Sequence, residues 1–198
     1  MSVVESENYP ARNGDVESDP KLHQRCLKWR NKAITASSYV RFMLEEMKKL
    51  GCEVNMKRHL VCEPCSGRVL GGFDHRRQQI VLCENTIYSE TCMSEVLTHE
   101  LIHAYDFCRY NTNFSDVKHL ACSEIRAANL SGDCFFWKEN FGRFKFGWKK
   151  HQQACVRERA VNSILCVKDI EKSEAENVVD SVFASCFYNT EPFEHVPP

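Results

Sequence analysis

The chain has 198 residues and a mass of 23.0 kDa, with 43% hydrophobic and 27% charged residues. That balance fits a globular domain of ordinary size and excludes collagen-like, low-complexity and wholly disordered chains. Lys and Arg number 26 against 27 Asp and Glu, a formal net charge of −1, so no global electrostatic attraction favours nucleic acid or an anionic membrane.

Residues 1–20 are polar and acidic, with Pro10, Gly14 and Pro20, and are expected to form a disordered lead rather than a secretory signal or an Arg-rich transit peptide. Residues 21–198 are expected to form a single domain. Apolar Leu22, Leu27, Ile34, Phe42, Met47 and Leu50 predict a helix over about 21–50, closed by Gly51. Between 60 and 84 short apolar runs are punctuated by Pro64, Gly67, Gly71 and Gly72; Gln79–Cys83 reads as a strand, Arg68–Leu70 as its hairpin partner, and Gly71-Gly72 as the turn. Helical spacing returns at about 89–108 and 117–130, and two more helices are predicted near 151–167 and 173–188. The order is α+β: a helix, a small antiparallel sheet, then an active-site helix with additional C-terminal helices. No stretch approaches the roughly eighteen consecutive apolar residues that span a membrane.

The central helix carries Thr98-His99-Glu100-Leu101-Ile102-His103, an H-E-x-x-H string. Residues four apart lie one turn above each other on one helical face, so His99 and His103 can aim imidazole nitrogens at one Zn²⁺ while Glu100 serves as general base toward a water. Chance would supply only about 0.03 such strings in a chain of this composition. A catalytic zinc takes three protein ligands and leaves one position open. Glu124, on the next predicted helix, is the first choice for the third ligand, because Ala127 and Ala128 allow close helix packing. His119 is the runner-up, or a transition-state hydrogen-bond donor. Asp106 shares the rigid helix of the two histidines and is better placed to support a ligand from behind.

These residues carry a resemblance. Thr98–Asp106, followed by His119-Leu120-Ala121-Cys122-Ser123-Glu124-Ile125-Arg126 and its continuation to Cys134, is similar to the mitochondrial inner-membrane metalloprotease family that processes and assembles ATP synthase subunit 6. One vertebrate member is also named for binding the Ku autoantigen. The likeness runs from about Cys26 to Pro192 and includes Cys62-Glu63-Pro64-Cys65, Gly71–Asp74, Cys186-Phe187 and Glu191-Pro192-Phe193. The resemblance implies a zincin-like metallopeptidase binding one Zn²⁺ per chain, with His99 and His103 as ligands and Glu100 as the catalytic carboxylate. It also implies a location on the intermembrane-space side of the inner membrane, peripheral, reached without a cleaved presequence. The implied substrate is a polypeptide of the ATP synthase subunit 6 precursor type, and membrane assembly factors are implied partners. If Gln79–Cys83 is an edge strand, an extended substrate would add to it along Ile80, Val81 and Leu82.

Twelve cysteines are about 6% of the chain. Alone they leave a reduced compartment with buried thiols and an oxidising one equally open; the resemblance favours oxidation, with pairings open and Cys62 and Cys65 in structural disulfides. Residues 135–159 interleave aromatics with seven Lys and Arg against two Glu, a local +5, which suits either an anionic interface or a core-plugging loop with wet lysines. Two other functions compete with the peptidase: a non-catalytic assembly chaperone, and a nuclear DNA-repair adaptor binding Ku. The charge balance gives the adaptor little support, and nucleic acid is not an expected partner.

Overall fold

A computed structural model of the protein describes residues 17–132, 134 and 148–195. Most of the acidic lead and residues 135–147 of the basic-aromatic stretch lie outside the described residues; the remainder of that stretch belongs to a helix. The elements in chain order are α1 (Pro20–Ala36), α2 (Ser38–Lys49), α3 (Met56–His59), β1 (Leu60–Glu63), β2 (Gly71–Asp74), β3 (Gln79–Cys83), α4 (Glu90–Tyr110), α5 (Val117–Leu130), α6 (Trp148–Val167) and α7 (Lys172–Phe187). The architecture is mixed α+β.

The single helix expected over 21–50 is two helices. Ser37 sits in extended backbone between them, ending α1 and capping α2 through a hydroxyl that accepts from the Val40 N–H. A serine side chain that satisfies the orphan N–H groups of a new helix favours that break. Asp19 caps α1, with Pro20 supplying a preset φ at its start. Ser89 and Asp116 cap α4 and α5 in the same way, and Asn111 closes α4 in left-handed conformation at φ 50°.

The sheet corrects four expectations. Its order is β1-β3-β2, with β1 parallel and β2 antiparallel to β3, so it is mixed rather than antiparallel. Ile80, Val81 and Leu82 consequently lie in the central strand, not on an edge open to substrate. The continuous apolar run Ile80–Cys83 is buried throughout, as expected of a strand covered on both faces. The partner of β3 begins at Gly71 rather than ending at Leu70, and the Gly71-Gly72 pair is part of a strand. The turn is His75–Gln78, with Gln78 at φ 53°.

The sheet, α1 and α2 pack on α4, α5 packs against α4, and α6 and α7 close over α5. Leu97, Leu101 and Ile102 of α4 have no measurable exposure, and α4 is accordingly the axis of the core. Five disulfides cross-link this arrangement: Cys26–Cys62, Cys52–Cys108, Cys65–Cys83, Cys122–Cys186 and Cys134–Cys155. Cys62 and Cys65 therefore take separate partners, as structural half-cystines rather than a zinc ribbon or redox pair. Cys92, a buried thiol, and Cys166, an exposed one, form no disulfide. No helix among the described residues is long and apolar enough to cross a membrane.

Candidate metal centre

The four-residue spacing places His99 and His103 on one face of α4, their ring centroids 4.9 Å apart. From α5, Glu124 approaches both: Oε2 lies 3.7 Å from His99 Nε2 and Oε1 lies 3.6 Å from His103 Nε2. One ligand atom from each residue falls within 4.8 Å of the others. Bonds of about 2.0–2.1 Å to a tetrahedral zinc place neighbouring ligand atoms about 3.4 Å apart. The two His–Glu separations therefore span a zinc ion with only small adjustment, and the two-imidazole, one-carboxylate donor set suits zinc chemistry.

Burial alone would push the Glu124 carboxyl up. The neighbouring imidazoles of His103 and His99, with the Ser163 hydroxyl, outweigh it and hold the group below its ordinary value. Glu124 therefore stays a carboxylate, the form a cation needs.

Behind His103 runs a buried chain of hydrogen bonds. Its Nδ1 lies 2.8 Å from Ser123 Oγ, Ser123 Oγ donates to Asp106 Oδ2 at 2.9 Å, and Arg126 Nε donates to Asp106 Oδ1 at 3.0 Å. A carboxylate only accepts, so the single serine proton goes to Asp106 and the serine oxygen accepts from His103 Nδ1–H. That fixes the tautomer and leaves the Nε2 lone pair facing Glu124. Asp106 thus supports His103 through Ser123. Burial pushes its carboxyl up to about 6, against the opposing pull of Arg126 and Ser123.

His119 is not in this cluster. It is exposed on the first turn of α5, where its Nδ1 accepts from the Asn113 N–H at 3.3 Å. Glu100 is 7% exposed beside His99. The first residue of β2 lies against it: a Cβ at Gly71 would meet Val96 Cγ1 at 2.8 Å and Val81 O at 2.9 Å, with Glu100 Cγ at 3.6 Å. Glycine there lets the strand pass directly over the H-E-x-x-H turn.

Sequence reasoning missed Gly71, Ser123 and Arg126 as parts of the site. Arg126 carried a readable signal: a cation flanked by Ile125, Ala127 and Ala128 needs a buried partner.

A His-His-Glu cluster on two packed helices, with a buried glutamate beside the first histidine, is the arrangement of a metal-dependent hydrolase. A sequence profile described as the Peptidase M76 family matches residues 24–194, and the chain belongs to that family of metallopeptidases. It is 51% identical over 176 residues to the human mitochondrial inner membrane protease ATP23 homolog, covering 88% of this chain and 71% of the human protein. It is 48% identical over 198 residues to the Xenopus laevis protein of the same name, covering 96% and 84% of the two chains. With the mitochondrial inner membrane protease ATP23 of Mycosarcoma maydis it shares 35% identity over 213 residues, 93% and 97% of the two chains. No solved structure matches.

Proposed function

We propose that the protein is a zinc-dependent endopeptidase of the mitochondrial intermembrane space with a zincin-like fold. The observation that carries this reading is the convergence of His99, His103 and Glu124 within 4.8 Å beside Glu100. When bound, zinc supplies Lewis-acid polarisation of the scissile carbonyl and an acidified water. Glu100 takes the proton of the attacking water and delivers it to the leaving amine, so no covalent intermediate is required. Ser123 and Asp106 hold His103 in the ligating tautomer throughout.

Substrate binding follows from the sheet edge. Leu70 O accepts from Cys83 N, so the alternation of an antiparallel ladder directs the Gly72 backbone toward β3 and the Gly71 and Phe73 groups away from it. No further strand pairs with β2 among the described residues. An extended polypeptide adding to β2 would cross the Glu100 face of α4, with recognition resting largely on backbone hydrogen bonds. The names of the relatives support a place at the mitochondrial inner membrane, and five disulfides suit an oxidising compartment. The family resemblance supports peripheral membrane association, removal of an N-terminal segment from a precursor of the ATP synthase subunit 6 type, and a role in assembling that enzyme.

Glu100→Gln should retain one zinc per chain and lose cleavage by at least about 10²-fold, whereas His99→Ala and Glu124→Ala should lose zinc. Metal analysis beside a peptide-cleavage assay separates these outcomes. Assembly activity persisting in Glu100→Gln would assign that role to a binding surface; a wild type that folds but binds no zinc would overturn the peptidase reading.

A further inference from the structure

Arg126 is 2% exposed, yet its contacts extend well beyond Asp106. One terminal nitrogen donates to the carbonyl of Asn189 at 2.6 Å, and the other donates to the carbonyl of Glu191. A guanidinium is a flat, rigid fork. The positions of the Asp106 carboxylate and of these two carbonyls are therefore coupled through one side chain. The carbonyls belong to the segment after α7, which is itself fastened at two further points. Glu191 Oε2 accepts from the Tyr110 hydroxyl at 2.5 Å, and the Phe193 ring stacks on Phe42 of α2 with centroids 4.8 Å apart.

We propose that Arg126 is a positioning residue through which the 189–193 segment tunes the metal centre. The path is continuous: segment carbonyls, Arg126, Asp106, Ser123, then Nδ1 of His103, with every protein-to-protein step a hydrogen bond between named atoms. Docking of the segment orients Arg126, Arg126 orients Asp106, and Asp106 holds the Ser123 proton so that the serine oxygen faces His103. Loosening the segment should weaken zinc binding although its residues do not touch the ligands. The inference rests on the metal-centre reading above and adds a remote control point to it.

The test is zinc affinity of the full-length chain, measured by competition with a chromophoric chelator, for the wild type, Ser123→Ala, Arg126→Lys, Phe193→Ala and the Ser123→Ala/Phe193→Ala double variant. Lysine keeps the charge but cannot reach three acceptors in one plane. Losing a group that orients a ligand from behind weakens metal binding by about 10–100-fold. Ser123→Ala and Arg126→Lys should fall in that range. Phe193→Ala should weaken binding by about tenfold in the wild-type background and by less than about twofold once Ser123 is gone, because the path is already cut.

A merely structural role for the segment would give the same loss in both backgrounds, and that result overturns the proposal. Wild-type affinity in both Arg126→Lys and Phe193→Ala overturns it equally. Should Arg126→Lys fail to fold, the Phe193 comparison alone decides. Zinc retained in His99→Ala would sink the metal-centre reading, whereas zinc lost there but unchanged in Phe193→Ala would sink only this inference.

Discussion

At the level of single side chains, the H-E-x-x-H string is readable without a structure because helix geometry is local: four residues fix one face. Gly71 is the opposite case. Its reason to be glycine is the approach of Val96, Val81 and Glu100, which only the packed structure brings together. Gly71→Ala should destabilise the fold by about 1–3 kcal/mol through overpacking and lower kcat as the strand is pushed off Glu100; thermal denaturation and cleavage rates check both. Asp106 sets a pH dependence. Its folded value of about 6 lies above the ordinary 3.8, so its contribution to stability is fully present below about pH 4 and is lost as pH rises through 6. The stability difference between metal-free wild type and Asp106→Asn should therefore shift against the wild type across that interval, as denaturant titrations at several pH values would record.

Elements were legible in proportion to how local their causes are. The helices α4 and α5 match their predicted spans closely, since cap residues Ser89 and Asp116 and the terminator Asn111 are near neighbours of what they end. The break at Ser37 was hidden because the apolar pattern runs through it and only the serine hydroxyl interrupts the ladder. The central position of β3 was hidden for a different reason. Leu60 pairs with Ile80 in parallel, a contact across the intervening β2 that no hairpin signal announces. The edge proposed to take substrate is consequently β2. Gly72→Pro, which removes an N–H directed at β3, should unseat that edge and raise KM by severalfold more than the charge reversal Arg76→Glu at an exposed position does; steady-state kinetics on a peptide substrate measure the contrast.

For the whole molecule, the site joins two helices that are brought together by everything else. The sheet with α1 and α2 supports α4 from one side, while α6 and α7 support α5 from the other. The approach of Glu124 to the two histidines is thus a property of the entire packing, which explains why Glu124 was only one of several candidates in the sequence. The cysteine excess was legible as a count, but its pairing was not, because separations from 18 to 64 residues carry no spacing rule.

The Cys122–Cys186 bridge closes a loop with a sequence separation of 64 and, by chain-entropy arithmetic, contributes up to about 4 kcal/mol. It is anchored immediately before Ser123 and two residues before Glu124, so the cross-link pins the turn of α5 that presents the Glu124 carboxylate. Proteolytic competence is thereby coupled to thiol chemistry: a newly made, reduced chain carries both histidines on α4 but lacks the covalent restraint that holds the carboxylate to them. On the proposed function, protein reduced under non-denaturing conditions should lose zinc affinity together with cleavage and regain both on reoxidation.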